Sequence, residues 1–139
     1  MLDIGASVNP LVKNGITVDL NKKKRPDICA SVLYLPLREK SFNNVNFTEV
    51  IEHIRPKFQV KALKEIRRVT KNLVISTPSM FPTWRIIWAI WENTVQKEYR
   101  HDHVGQLPIQ NLFRKLAKSG FKVTKWQRVM FFDVIVKCE

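Results

Sequence analysis

The stretch Met1-Leu-Asp-Ile-Gly-Ala-Ser-Val-Asn9 decides the fold of this chain. Apolar residues flank Asp3, Gly5 follows, and the stretch then turns into small and polar residues that end at Asn9-Pro10. This pattern is typical of a short buried strand that runs into a tight loop, where an α/β protein presents backbone N–H groups to a ligand. The next strand-like run, residues 15–20, has an acid, Asp19, close to its end. The two runs together predict a nucleoside-binding site.

Downstream, strand-like runs alternate with helical periodicity. Residues 57–71 predict a helix, because apolar residues recur at three- and four-residue spacing opposite a basic stripe. A second amphipathic helix is expected to end at Gly120. Further strands are predicted at residues 27–30, 45–47 and 73–77, a turn at 41–44, and a terminal hairpin from 121–126 and 130–138. This order predicts an α/β fold: a Rossmann-like three-layer sandwich with a mostly parallel seven-stranded sheet and an antiparallel terminal strand.

Charge is the strongest compositional signal. The 24 Lys and Arg residues against 12 Asp and Glu give a net charge of +12 over 139 residues. Such a balance favours a polyanionic partner, RNA or DNA first, although a solvated basic surface without a dedicated partner explains it equally well. The basic stripe on residues 57–71 has the same two interpretations.

The sequence has no apolar run near the roughly 20 residues of a membrane helix and no signal region, so a cytoplasmic protein without a membrane contact is expected. Cys29 and Cys138 are too few for a disulfide framework or a zinc site and are expected to be reduced and buried. His101 and His103 lack a third ligand at convincing spacing, so no metal is expected.

Three tryptophans, Trp84, Trp88 and Trp91, fall at helical spacing after Pro82. They form either part of the core or an exposed face, which would serve as a lid, a homodimer contact or a docking site for a partner subunit.

Taken in order, these motifs resemble those of the class I S-adenosylmethionine-dependent methyltransferases over nearly the whole chain. Leu2-Asp-Ile-Gly5 is similar to the family's first motif and Val18-Asp-Leu20 to its second. The likeness continues through residues 30–37, 41–43, 47–54, 62–69 and 74–78. It implies a single methyltransferase-like domain over residues 1–139, lacking the family's usual helix before the first strand.

The resemblance also implies a set of cofactor contacts. Asp3 would orient the methionine end, Asp19 would accept hydrogen bonds from the ribose hydroxyls, and Ser31 would contact adenine. The full implied set is Asp3, Gly5, Ala6, Ser7, Asp19, Leu20, Ser31, Val32, Thr48 and Glu49. The chain departs from the family pattern where Ser7 and Asn9 replace later glycines.

The activity implied by the resemblance is methyl transfer from S-adenosylmethionine, with S-adenosylhomocysteine as product, to an RNA or a small molecule. Positioning supplies most of the rate of such a reaction, and Glu49, Glu52 and His53 are candidates for a general base. For His53, a structural role at a helix start is the alternative. The alternative for the whole chain is a non-catalytic methyltransferase-like module that binds nucleic acid or a catalytic partner through its basic surface.

Overall fold

The computed structural model describes residues 1–6, 12, 14–78, 107–129 and 133–139. The elements are β1 (Leu2–Ile4), β2 (Ile16–Asp19), β3 (Ile28–Cys29), β4 (Phe42–Thr48), α1 (Pro56–Val69), β5 (Thr70–Pro78), α2 (Ile109–Lys118), β6 (Val123–Val129) and β7 (Asp133–Cys138). Single 3₁₀ turns lie at Lys22–Lys24 and Ile51–His53.

The seven strands form one sheet in the order β3-β2-β1-β4-β5-β7-β6. Neighbouring strands from β3 to β5 are parallel, whereas β7 runs antiparallel to both β5 and β6. The predicted mostly parallel sheet with an antiparallel terminal strand is therefore confirmed. From β1 the chain adds β2 and β3 on one side of the sheet, and β4 and β5 then follow on the other side. Ligands of such open sheets bind at the switch point between β1 and β4.

The core lies where the sheet meets α1 and α2. In β1, Leu2 and Ile4 are buried, as the apolar residues around Asp3 predicted. Leu63, Ile66 and Val69 of α1 are buried too, whereas Val60, which was assigned to the same inward stripe, is only half-buried. The remaining core residues include Val45, Phe47, Leu73, Ile75, Leu112, Leu116, Val134 and Val136.

The two described helices cover the same face of the sheet. The Ser119 hydroxyl after α2 donates to the Val60 carbonyl oxygen at 3.4 Å, and Lys115 Nζ donates to the Pro56 carbonyl oxygen at 3.3 Å. The helix predicted to carry Trp84, Trp88 and Trp91 lies outside the described residues, so its contact with a second copy or a partner subunit stays a prediction.

Two local predictions are wrong. Residues 41–44 were expected to form a turn, but Phe42 and Asn44 belong to β4 and pair with Thr70 and Asn72 of β5. A long neighbouring strand gives these residues backbone partners, and this overrides the turn preference of the segment. Cys29 is exposed rather than buried, because β3 is a two-residue strand at the sheet edge. Cys138 is buried as expected.

Gly120 ends α2 as predicted. Its φ is +83°, a left-handed conformation that glycine adopts without a Cβ clash. The Phe121 N–H then donates to the Leu116 carbonyl oxygen at 3.0 Å and satisfies one of the free carbonyl groups at the helix end. Neither α1 nor α2, the α-helices among the described residues, offers the long apolar surface that a membrane crossing requires.

Arg68 of α1 holds the segment that runs from β3 to β4. Its guanidinium donates to the carbonyl oxygens of Leu37 at 2.7 Å and Leu35 at 3.0 Å, and to both carboxylate oxygens of Glu65. Glu65 in turn accepts the Leu35 N–H at 2.9 Å. The hydrogen bonds from Arg68 hold the pKa of Glu65 below its usual range. Helix and segment are thus connected by one polar network.

We predict that Arg68→Met destabilises the protein by about 2–3 kcal/mol, because two carbonyl groups and a carboxylate lose their donor. Urea unfolding followed by circular dichroism measures the change. Lys64→Met is the matched control: Lys64 is exposed on the same helix, and its substitution should stay within about 0.5 kcal/mol. Equal effects of the two substitutions would show that the network contributes no stability.

Candidate functional site

A cavity of about 430 Å³ opens at the carboxyl ends of β1, β2 and β4. Its walls come from the ends of these strands, from residues 30–33 after β3, and from residues 49–58 before and within the start of α1. This is the place that the strand order favours for a ligand. The volume lies within the range of roughly 300–1,000 Å³ that is typical of small-molecule sites.

Most residues that were predicted to bind the cofactor meet at this cavity. Those that line it are Gly5, Asp19, Leu20, Ser31, Val32 and Glu49, together with the base candidate His53. Asp3, Ala6 and Thr48 do not line it. Ser7 lies outside the described residues.

Gly5 forms the wall of the cavity next to Val50. Its φ is +78°, and its N–H donates to the Val18 carbonyl oxygen at 2.7 Å, so it continues the contact between β1 and β2. A Cβ at this position would lie 2.2 Å from Val50 Cγ2. Both the backbone conformation and the close approach therefore require glycine.

Asp3 lies beneath the cavity. It is buried, and its Oδ1 accepts a hydrogen bond from Asn46 Nδ2 at 2.7 Å. Asn46 also donates to Thr48 Oγ1 at 3.2 Å. The three side chains connect β1 to the end of β4, so Asp3 is placed to orient the loops around the ligand rather than to touch the ligand across the cavity wall.

Asp19 presents its carboxylate at the end of β2. Its Oδ1 accepts a hydrogen bond from the Asn21 N–H at 2.8 Å, and its Oδ2 accepts one from Lys24 Nζ at 3.1 Å. Each carboxylate oxygen can accept a further hydrogen bond, so the group retains capacity for two ligand hydroxyls. Leu20 lines the cavity beside it with 73% of its surface exposed, and Val32 supplies apolar surface from the segment after β3.

Two carboxyl groups stand together after β4. Glu49 has a φ of +53°, and its Oε1 accepts a hydrogen bond from the Ser76 hydroxyl. Glu52 is buried and accepts a hydrogen bond from Thr77 Oγ1 at 3.1 Å. Burial, and next the negative charge of Glu49, raise the pKa of Glu52 to about 7. Glu49 thus lines the cavity, and Glu52 is buried behind it.

The structure adds residues that were not predicted from the sequence. Lys24, Val50, Arg55 and Phe58 line the cavity. Lys24 belongs to a basic run and lies five residues after Asp19, and this short spacing could have indicated that it lies near the Asp19 carboxylate. Arg55 and Phe58 flank the start of α1, and nothing in their local pattern distinguishes them from helix surface. Within the described ranges, no three His, Cys, Asp or Glu side chains form a metal-binding group, and His101 and His103 lie outside those ranges.

The raised pKa of Glu52 predicts a pH-dependent stability. An acid whose pKa rises on folding stabilises the folded state fully below its unfolded value of 4.5 and loses this contribution as the pH rises through about 7. Relative to Glu52→Gln, the free energy of unfolding of the wild type should fall by roughly 2–3 kcal/mol between pH 4.5 and pH 8. Urea titrations of both proteins across this range test it. A constant difference between them would contradict the burial of an ionisable group at this position.

Part of the chain is similar in sequence to known proteins. Residues 10–74 match the family model of the methyltransferase domain. An uncharacterized protein of Methanocaldococcus jannaschii is 43% identical over 51 residues, which are 37% of this chain and 21% of that protein. The chain therefore matches about a fifth of the length of this curated relative.

Solved structures share the fold at low sequence identity. A Thermotoga maritima S-adenosylmethionine-dependent methyltransferase, described as a possible histamine N-methyltransferase, superimposes with a TM-score of 0.74 at 15% identity, covering 99% of this chain and 80% of its own. The 1,6-didemethyltoxoflavin-N1-methyltransferase of Burkholderia thailandensis, solved with 1,6-didemethyltoxoflavin and S-adenosylhomocysteine bound, has a TM-score of 0.69 at 14% identity, covering 99% of this chain and 68% of its own. The chain thus shares the Rossmann-like fold of these class I S-adenosylmethionine-dependent methyltransferases, and its residues 10–74 are similar to the methyltransferase domain family.

Proposed function

We propose that this chain binds S-adenosylmethionine in the cavity at the switch point and transfers its methyl group to an acceptor. The observation that carries the proposal is the meeting of Gly5, Asp19 and Glu49 around one cavity. These residues come from three different strand ends, and each offers a different part of what such a ligand needs.

The residues fit the chemistry of this cofactor. The Asp19 carboxylate retains acceptor capacity for the two hydroxyls of a ribose. Leu20 and Val32 offer apolar surface to a flat base, and the largely exposed Leu20 side chain would lose contact with water there. Glu49 provides a negative charge at the end of β4, which suits a ligand with cationic groups.

When bound, the cofactor supplies a methyl carbon on a cationic sulfur, which an acceptor's lone pair takes while the bonding electron pair stays on sulfur. The protein's part is to hold the acceptor in line, since positioning accounts for much of the barrier reduction. Glu49 is the cavity carboxylate suited to take a proton from an acceptor hydroxyl or amine, with His53 as a second base on the same wall.

We predict that Asp19→Asn weakens the binding of S-adenosylhomocysteine by about 10- to 100-fold, because hydrogen bonds from ribose hydroxyls to a charged acceptor are lost. Isothermal titration calorimetry measures the affinity. Glu39→Gln is the matched control, because it removes the same charge from an exposed position outside the cavity and should bind like the wild type.

No heat of binding in the wild type at millimolar ligand would overturn the proposal, and wild-type affinity in Asp19→Asn would overturn the assignment of the ribose site. Affinity without any turnover in the presence of nucleic acid and small-molecule acceptors would instead favour the non-catalytic module.

A further inference from the structure

One exposed aromatic side chain lines the cavity, and a second directly follows a cavity residue in the chain. Tyr34, which follows the cavity residue Leu33, is 70% exposed, and Phe58, which itself lines the cavity, is 37% exposed. Aromatic rings of this size usually bury most of their surface in a folded protein. Tyr34 departs from this rule, whereas Phe58 follows it and still leaves part of its surface in water beside the ligand site.

Each of these rings carries a lysine against its face. Lys61 Nζ lies 3.6 Å from the centroid of the Tyr34 ring, and Lys57 Nζ lies 4.9 Å from that of Phe58. Both distances are within the range of cation–π contacts. The first contact also joins the segment after β3 to α1, so that aromatic and basic groups form a continuous border. We call the set Tyr34, Arg55, Lys57, Phe58 and Lys61 the basic rim.

The charge around the mouth is positive on both sides. Arg55, Lys57 and Lys61 are exposed, and Glu65, the only acid of α1, is bound by Arg68 at 2.7 Å. Across the mouth, the turn after β2 exposes Lys22, Lys23 and Arg25 beside the cavity residue Lys24. A polyanion that crosses the mouth would therefore meet cations on either side of it.

We propose that the basic rim binds single-stranded nucleic acid and presents one nucleotide to the cavity as the methyl acceptor, an inference that rests on the proposed methyltransferase function. Phosphates match the cations, and unpaired bases can stack on the two rings. In a duplex the faces of the bases lie inside the base stack, so they cannot stack on the two rings. An anionic membrane or an acidic protein would satisfy the charge but supplies no flat bases for exposed rings.

Fluorescence anisotropy of a labelled single-stranded RNA of about 12 nucleotides tests the proposal. A DNA strand of the same sequence shows whether ribose hydroxyls contribute, and a duplex shows whether free bases do. Tyr34→Ala should weaken single-strand binding by about 5-fold or more. Tyr34→Phe should bind like the wild type, since a stacking platform needs the ring and not the hydroxyl.

The charge contribution is tested with two double variants that remove the same number of lysines. Lys57→Gln/Lys61→Gln should lower the slope of log affinity against log salt by about 1.4, because two phosphate contacts are lost. Lys125→Gln/Lys137→Gln, at the β6–β7 edge of the sheet, should leave the slope unchanged. Equal effects of the two pairs would overturn the proposal, as would equal affinity for duplex and single strand. Binding to phosphatidylserine vesicles without binding to the oligonucleotides would also overturn it.

Calorimetry with S-adenosylhomocysteine on the same proteins separates this inference from the function on which it rests. The Tyr34 and Lys57/Lys61 variants should keep wild-type affinity for that ligand, because these residues do not line the cavity. Rim-dependent binding of RNA without any binding of S-adenosylhomocysteine would contradict the proposed function alone. Binding of S-adenosylhomocysteine without rim-dependent binding of RNA would contradict only the proposal that the basic rim binds nucleic acid.

Discussion

Backbone pairing on both edges of β1 is the constraint on which the rest of the structure depends. Leu2 stands opposite Ile16 of β2 on one edge and opposite Val45 of β4 on the other. A parallel strand that is paired on both sides lies inside the sheet, and its apolar side chains are accordingly buried. Because the chain builds the sheet outward in both directions from β1, the segments that follow β1 and β4 diverge there and leave a cavity between them.

The polar groups of the cavity are held by the same pairing. Asp3 reaches from β1 to Asn46 of β4, so a buried hydrogen bond reinforces the backbone contact beside the site. Glu49 follows β4 in a left-handed conformation and is held by both the backbone and the side chain of Ser76 in β5. These side chains therefore take their positions from strands, because Asp3 belongs to a strand and Glu49 directly follows one.

Charge is divided between the cavity and its mouth. Asp19 and Glu49 bring carboxylates to the cavity wall, where Lys24 pairs with Asp19, whereas the lysines of α1 next to Arg55 carry positive charge outside the cavity. A cationic ligand and a polyanion could thus occupy adjacent places without competing for the same groups. The proposed cofactor and the proposed nucleic acid substrate correspond to these two places.

The sequence by itself determined the mostly parallel sheet with its antiparallel terminal strand, the glycine after β1 and the acid at the end of β2, because each depends on local periodicity or on one residue's backbone freedom. Tertiary structure decided what local patterns do not encode. Phe42 and Asn44 extend β4 because β5 is long enough to pair with them. Asp3 lies beneath the cavity because Asn46 is its partner across the sheet, and Lys61 covers Tyr34 because Arg68 holds the intervening segment on α1. Contacts between residues distant in sequence arise only when the sheet has formed. Such contacts place Phe58 in the cavity wall, although its local sequence is that of an ordinary exposed helix position.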